Sequence, residues 1–271
     1  MTIDLKIFDV EHGACALLTA GNGARLMIDC GHNSDTGWRP GTYLRNQGIT
    51  QLEMLAITNY DEDHASGSID LFNNVNVLWL YRNTSVSTLV LRTLKSADGM
   101  GRGIDRLIRE IDRRLASCGA APLIPPVFPG VELRVFWNPY PLFEDENNLS
   151  MVLFLKCYGK GVLFPGDLER DGWLALLDRD DFRQALIETR VLVASHHGRE
   201  DGYCKQIFDY CRPYYIVISD KGYQYDTQRT VPIYNRHAIG GPFRGYNRKV
   251  LTTRWDGRIG FTFKPETWWA Y

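Results

Sequence analysis

Ile57-Thr58-Asn59-Tyr60-Asp61-Glu62-Asp63-His64-Ala65-Ser66-Gly67 follows directly on Leu52-Glu53-Met54-Leu55-Ala56. The apolar run is short enough for a buried strand, and it breaks into a loop with three carboxylates and a histidine in four consecutive positions. Like charges at that density repel one another unless a cation sits among them, and a strand end holds ligands more rigidly than a free loop does. Aspartate and histidine together suit Mn²⁺, Zn²⁺ or Fe. The same residue types also make ordinary solvated turns, so the rest of the chain has to decide between the two.

Upstream of this loop, residues 3–30 read as strands joined by hairpins. Residues 3–8 alternate, 14–18 are apolar, Gly21-Asn22-Gly23 is a turn and Arg25-Leu26-Met27-Ile28 returns. Asp29-Cys30-Gly31-His32 ends that strand, a polar loop runs to Pro40, and residues 42–46 suggest a short helix. Downstream, residues 65–72 continue as a helix and 75–80 as a strand. Residues 84–117 look helical. Over 104–115, Ile104, Leu107, Ile108, Ile111 and Leu115 share one helical face, with Arg102, Arg106, Arg109 and Arg113 opposite. Asp105 with Arg109 and Glu110 with Arg114 give the plain reading, a solvated face laced by ion pairs; the sharper reading is a stripe facing phosphates.

A proline-bearing connector at 119–129 precedes strands at 131–137, 149–157 and 161–164, helices at 171–177 and 181–187, a strand at 191–194, a helix at 203–210, and strands at 214–219 and 258–263. The expected organisation is one domain, 1–271, with two pseudo-halves at roughly 1–130 and 131–271 that echo each other as sheet followed by strand-helix alternation. No residue-level repeat accompanies the echo.

With 44% hydrophobic residues the chain has ample material for a packed core, which excludes a disordered polymer. No run approaches the roughly 18 apolar residues of a membrane span, and Met1-Thr2-Ile3-Asp4-Leu5-Lys6 lacks the basic-then-apolar pattern of an export signal. Cys15, Cys30, Cys118, Cys157, Cys204 and Cys211 show no Cys-x-x-Cys spacing and read as reduced core residues. A soluble, cytoplasmic protein without membrane contact is the expectation. The net charge of −1 excludes a general polycation, yet between Lys221 and Arg258 eight basic residues, Arg244, Arg248 and Lys249 among them, face only Asp226 and Asp256.

Three further polar clusters end or open apolar strands. They are Val162-Leu163-Phe164-Pro165-Gly166-Asp167, Val191-Leu192-Val193-Ala194-Ser195-His196-His197-Gly198, and Asn147-Asn148-Leu149-Ser150. Each alone is weak, since Gly-Asp is usually a turn and His-His-Gly could be a capped loop. In this order and spacing, with Asp61-Glu62-Asp63-His64, they resemble the metallo-β-lactamase-fold hydrolase superfamily, most closely its ComEC-like branch. The resemblance runs through nearly the whole chain. Asp9-Val10-Glu11-His12-Gly13 is similar to that branch's opening Asp-Val-x-x-Gly, residues 26–31 to its second strand, 58–67 to its metal loop, and 147–150 to its Asn-x-x-Ser element. Residues 163–167 resemble its Gly-Asp, 195–198 its His-His-Gly, and 250–257 its closing strand pair.

The resemblance implies an α+β fold, an αββα sandwich of two sheets packed face to face with helices outside and metals at the sheet edge. It assigns Asp63, His64, Asp167 and one histidine of the pair, preferably His196, to the second metal position. The first position normally begins with a histidine where this chain has Asn59, while Asp61 stands where His or Asp occurs; Asn147 and Ser150 occupy the element where a third histidine is usual. An amide is a weak, neutral ligand, so the first position is expected to be weak, filled only with substrate bound, or empty. One or two divalent ions follow, with oxygen-rich ligation leaning towards Mn²⁺ over Zn²⁺. Such an ion acidifies water and polarises an electrophile. Asp167 would bridge or anchor, Asp61 or Asp63 would take the proton, and Asp29 would orient a ligand histidine. His12, where the family usually has Gln, reads as a substrate contact or a structural residue, and His32 as site wall or loop. His237, read as following a strand, lacks the Gly-His-Pro context of the family's late histidine, and Trp268 with Trp269 reads as a packing anchor.

Three functions stay open at this point. The first is a phosphodiester-cleaving metallohydrolase, a nuclease or nucleotide phosphodiesterase, with Arg106, Arg109, Arg113, Arg244, Arg248 and Lys249 lining a groove for nucleic acid. The second is an ester, lactone or thioester hydrolase of the same fold. The third is a binding module whose site has decayed at Asn59 and which serves a nucleic-acid or protein partner, in a defence or DNA-processing setting.

Overall fold

A computed structural model describes residues 1–116, 125–222 and 229–271; Cys118 and Asp226 fall outside them. The alternation of residues 3–8 appears as β1 (Ile3–Ile7), buried at every second residue. It pairs antiparallel with β2 (Ala16–Thr19), which turns at Gly23 into β3 (Arg25–Ile28). Gly23 has φ 86°, a left-handed conformation that glycine adopts without a side-chain clash. Helix α1 (Pro40–Asn46) leads to β4 (Gln51–Ala56), and the short α2 (Glu62–Ala65) and α3 (Ser68–Asn74) lead to β5 (Asn76–Tyr81). Strands β3, β4 and β5 run parallel.

The stretch 84–117 forms two helices, α4 (Thr88–Asp98) and α5 (Arg102–Ala116), where the sequence reading had one helical region. They break at Gly99, whose φ of 88° stops α4. The second sheet holds β6 (Val131–Trp137), β7 (Met151–Cys157), β8 (Lys160–Phe164), β9 (Thr189–Val193), β10 (Tyr215–Ile218) and β13 (Val250–Thr252), with β8, β9, β10 and β13 parallel. Between them lie α6 (Arg170–Leu177), α7 (Asp180–Glu188), α8 (Val231–His237) and the hairpin β11 (Gly241–Phe243) to β12 (Tyr246–Arg248). The helix read over 203–210 is a 3₁₀ turn at Lys205–Asp209.

After α9 (Thr253–Asp256) the chain crosses back to the first sheet as β14 (Ile259–Phe263) and β15 (Trp268–Ala270). The order there is β15-β14-β1-β2-β3-β4-β5, so residues 259–270 belong to the layer begun by residues 3–81, and the layer boundary does not follow the chain at 130. The closing strand pair expected over 250–257 is divided. Residues 250–252 pair with β10, whereas 253–256 coil and the following strand joins β1. Trp268 and Trp269 form an edge strand, with Trp268 stacked on Phe263 at 5.8 Å.

Three apolar layers account for the sandwich. Leu5, Leu18, Leu26, Leu153, Val162, Val217 and Phe261 fill the space between the sheets. Leu17, Met27, Leu55 and Val77 face outward onto Leu44, Leu71 and Leu107 of the first helical layer. Phe154, Leu163, Leu192 and Ile216 face outward onto Trp173, Phe182 and Tyr234 of the second. Each fully buried Leu, Val or Phe contributes about 1.5–3 kcal/mol, which explains why the period-two strands are apolar on both faces. The result is the αββα sandwich. The five described cysteines are buried free thiols. No described helix is long and apolar enough to cross a membrane.

Candidate metal centre

Parallel strands from both sheets end at one edge, which is where open α/β sheets collect their polar loops. Asp29 follows β3, Thr58 and Asn59 follow β4, Asp167 follows β8, His196 and His197 follow β9, and Ser219 follows β10. Four of these side chains, Asp63, His64, Asp167 and His197, bring one ligand atom each to within 4.8 Å of one another. His64 Nε2 lies 2.9 Å from Asp167 Oδ1, and His197 Nε2 lies 3.2 Å from Asp63 Oδ2 and 3.4 Å from Asp167 Oδ1. His64, Asp167 and His197 are buried, whereas the Asp63 side chain is 31% exposed, so the cluster opens towards solvent on the Asp63 side.

Both imidazoles are held from behind. His64 Nδ1 lies 3.0 Å from Asp29 Oδ2, and His197 Nδ1 lies 3.1 Å from the Ser219 carbonyl oxygen. With each Nδ1–H directed at an oxygen, each Nε2 is left as the ligand atom, the arrangement that fixes tautomer and ring orientation in metal sites. Asp29 has φ 57° and also accepts the Thr58 N–H at 2.7 Å, which locks its carboxylate onto the loop it supports. Ser150 Oγ accepts the Asp167 N–H at 3.1 Å, so the Asn-x-x-Ser element clamps the Gly166-Asp167 turn. His197 Nε2 is buried without a well-directed hydrogen bond, although two carboxylates stand within 3.4 Å. Two imidazole nitrogens and two carboxylate oxygens, one nitrogen lacking a directed partner, fit a divalent cation better than they fit each other.

Electrostatics point the same way. Burial alone would push both imidazoles down, but Asp167 and Asp29 outweigh it and raise His64 well above its ordinary value. Asp167 and Asp63 likewise raise His197 to about 9. Burial opposes ionisation of Asp167, and His64 and His197 overcome it, holding that carboxyl well below its usual range. In the absence of a metal, protons therefore occupy the place between the carboxylates that a cation would take.

Close backbone approach shapes the loop. A Cβ on Gly13 would come within 2.7 Å of the Asp63 carbonyl oxygen, and one on Gly31 within 2.5 Å of the same atom. Gly13 closes the Asp-Val-x-x-Gly element and Gly31 the second-strand element of the resemblance, and this close approach gives both a structural reason. The Cys30 N–H donates to the His64 carbonyl at 2.8 Å within the first layer, and Ser219 Oγ donates to the Gly13 carbonyl at 2.7 Å, tying the second sheet to the first across the cluster. A cavity of about 30 Å³ lies here, lined by Ala14, His64, Asp167 and His197 among others, room for one water.

The three carboxylates of the loop diverge to three different partners. Asp63 faces the histidines. Glu62 accepts the Gly103 N–H at 2.8 Å and the Ile104 N–H at 3.0 Å, capping the start of α5. Asp61 pairs with the ammonium of Lys95, which also lies 3.2 Å from Glu146 Oε1. Asp61 is therefore not among the four converging donors. Asn59 is not among them either, since its amide oxygen accepts the Tyr60 N–H and its amide nitrogen donates to Asn147 Oδ1 at 3.2 Å. Asn147 in turn donates to Glu169 Oε1 at 2.8 Å. Sequence reasoning missed Lys95, although a lysine four residues after buried Leu91 is a charge on the helix's buried stripe and could have flagged it.

Of the histidine pair, the structure brings His197 into the quartet and not His196, against the preference for His196. Both residues are left-handed, at φ 50° and 54°, and the chain turns so sharply that the two rings diverge. His196 lies with Glu169 and Asp201, its Nδ1 2.9 Å from Asp201 Oδ1 and its Nε2 2.7 Å from Arg199 Nη1. A guanidinium donating to Nε2 disfavours a cation there.

His12 packs its ring 4.4 Å from that of His197, and burial together with the His197 charge pushes it down to about 3, so it faces the cluster as a neutral imidazole. His32 Nδ1 is 2.7 Å from Ser66 Oγ in the loop beside α2. His237 ends helix α8 instead of following a strand, and it stacks on Phe208 at 3.8 Å, away from the cluster.

Five of the six groove candidates are engaged by partners within the fold. Arg106 and Arg113 pair with Glu110, and Arg109 with Asp105. Arg244 donates to the Asp256 and Arg258 carbonyls, and Arg248 pairs with Asp256 at 3.1 Å, pinning the β11–β12 hairpin to α9. Lys249 sits in that segment with its Cγ beside Gly240.

No family model matches the chain. The protein is 23% identical over 280 residues to ComE operon protein 3 of Bacillus subtilis (strain 168), covering 96% of this chain and 33% of that protein, so it spans about a third of the relative's length. Its structure is similar to that of a CmlA β-hydroxylase E377D mutant, with TM-score 0.52 and 11% identity over 95% of this chain and 53% of the other. It is also similar to a diphosphatase from the PhnP family, with TM-score 0.48 and 10% identity over 97% and 98% of the two chains. With its layer order, the fold is that of the metallo-β-lactamases.

Proposed function

We propose that the protein is a metal-dependent hydrolase of the ComEC-like branch that cleaves phosphodiester bonds, as a nuclease or nucleotide phosphodiesterase. The observation that carries this reading is the quartet Asp63, His64, Asp167 and His197, with both imidazoles oriented from behind and both carboxylates ionised. A divalent ion held there would supply a Lewis acid that lowers the pKa of a water towards neutrality and polarises the electrophile. Asp63, the more accessible of the two carboxylates, would take the proton of the attacking water. His12, neutral and packed on His197, borders the centre without adding positive charge.

The reading rests on the centre and not on the arginines of α5, whose charges are balanced by Glu110 and Asp105. Zn²⁺ and Mn²⁺ both suit two nitrogens and two oxygens, and we retain a nucleotide or nucleic acid as substrate on the sequence resemblance. The test is hydrolysis of a chromogenic phosphodiester and of single-stranded DNA with Mn²⁺ or Zn²⁺, with and without chelator. The account expects metal-dependent cleavage that falls by orders of magnitude in Asp167→Ala. Cleavage indifferent to chelator and to that substitution contradicts it.

A further inference from the structure

We propose that Lys95 stands where a second cation would otherwise bind, so that the centre holds one divalent ion and the ammonium of Lys95 neutralises the carboxylates left over. The inference rests on the reading that Asp63, His64, Asp167 and His197 hold an ion, and it concerns the neighbouring residues which that quartet does not use.

Asp61 lies two residues before Asp63 at the start of α2, and its carbonyl accepts the His64 N–H at 3.1 Å, so its position is fixed to the centre by the backbone. Its carboxylate is the charged donor that a second ion beside the quartet would need. Lys95 meets it from α4, on the same buried stripe as Leu91, and is itself only 7% exposed. Glu146, from the loop before β7, completes the trio at 3.2 Å from Nζ. A lysine charge this deep is costly unless paired, and here two carboxylates pair it. Read from the carboxylates, the same arrangement says that Asp61 and Glu146 converge on a single positive charge.

Asn59 and Asn147 are neutral and already engaged, and Glu169 beyond them is a carboxylate that groups with His196 and Asp201. Asn59 directs its oxygen at the Tyr60 N–H and its nitrogen at Asn147, and Asn147 directs its nitrogen at Glu169. An added ion would have to displace an ammonium from Asp61, break the Asn59–Asn147 pair and sit beside both a lysine and the first ion. Restoring a histidine at position 59 leaves the ammonium in place, so that change by itself does not create a second site. Removing the ammonium leaves Asp61 and Glu146 facing each other without a counter-charge, which is the condition under which carboxylates take up a cation.

The experiment measures divalent ions per chain by equilibrium dialysis of the full protein against Mn²⁺ or Zn²⁺ followed by elemental analysis. The comparison is the natural chain, Asn59→His, Lys95→Met and the double variant. One ion in the natural chain, one in Asn59→His and two in Lys95→Met and in the double variant are the expected results. Two ions in the natural chain or in Asn59→His overturn the inference, as does one ion in a folded Lys95→Met. If Lys95→Met fails to fold, Lys95→Gln, which also removes the ammonium but keeps a polar side chain beside Asp61 and Glu146, takes its place with the same expected and overturning counts. No ion in the natural chain refutes the reading of the quartet itself, a separate failure.

Discussion

Asp29 Oδ2 and His64 Nδ1 face each other across 3.0 Å, although one follows β3 and the other lies in α2, thirty-five positions further along the chain. The contact turns His64 Nε2 towards Asp167 and fixes which nitrogen is free. Asp29→Asn keeps the shape but removes the charge that favours this tautomer. It should weaken divalent-ion affinity about 10- to 100-fold, measured by competition with a chromogenic chelator. Unchanged affinity would show that Asp29 serves the Thr58 loop alone.

The choice between adjacent histidines gives a sharper contrast. His197→Ala removes a ligand atom and should abolish tight metal binding. His196→Ala, away from the quartet, should leave affinity essentially unchanged and lower stability by about 1–2 kcal/mol through lost packing. Dialysis for metal content and thermal melts on the two variants read both effects, and the reverse pattern would restore His196 as the ligand.

That contrast also shows where the sequence stopped being legible. Asp63, His64 and Asp167 could be assigned through the family resemblance, whose motifs leave a single candidate at each of those positions. The histidine pair could not, because two successive left-handed residues decide which ring points inward, and nothing in Ser195-His196-His197-Gly198 announces that conformation. Lys95 was hidden for a different reason. Its partners Asp61 and Glu146 lie 34 and 51 positions away (95 − 61 and 146 − 95), a tertiary relationship with no local pattern beyond a charge on a buried stripe. Glu62 looked like part of an acidic metal loop and proved to be the cap of α5, a role visible only once α5 is folded against it. The sandwich itself followed from the family resemblance, with which the strand-rich halves agree, and the return of β14 and β15 to the first sheet was not foreseen.

Protons and metal compete for the same place, which sets a pH dependence. In the metal-free protein, His197 is raised to about 9, above its unfolded value of roughly 6.5. Its protonation therefore contributes stability that is fully present below about 6.5 and lost as pH rises through about 9. Metal binding expels that proton, so the affinity should rise with pH over the same window. The increase in melting temperature on adding Zn²⁺ should be larger at pH 8.5 than at pH 6. A shift independent of pH would mean that the imidazole is already neutral.

Glu110 carries a prediction outside the centre. It is 3% exposed and accepts from Arg106, Arg113 and Arg114 on its own helix. Burial would raise its pKa, but those arginines, Arg113 first, hold it below its ordinary value. Its contribution is thus present above the unfolded value and lost as pH falls through the folded one. Glu110→Gln should destabilise the fold by about 1–3 kcal/mol at neutral pH and by less under acid conditions, read by denaturant titration at both. Equal losses at the two pH values would assign the effect to packing alone.

The central claim is that Asp63, His64, Asp167 and His197 grip one ion, and anomalous scattering from crystals equilibrated with Zn²⁺ or Mn²⁺ tests it most directly. The account predicts a peak about 2.0–2.2 Å from His64 Nε2, His197 Nε2 and an oxygen each of Asp63 and Asp167. A peak against Glu169, His196 and Asp201 instead, or none at this edge of the sheets, would contradict it.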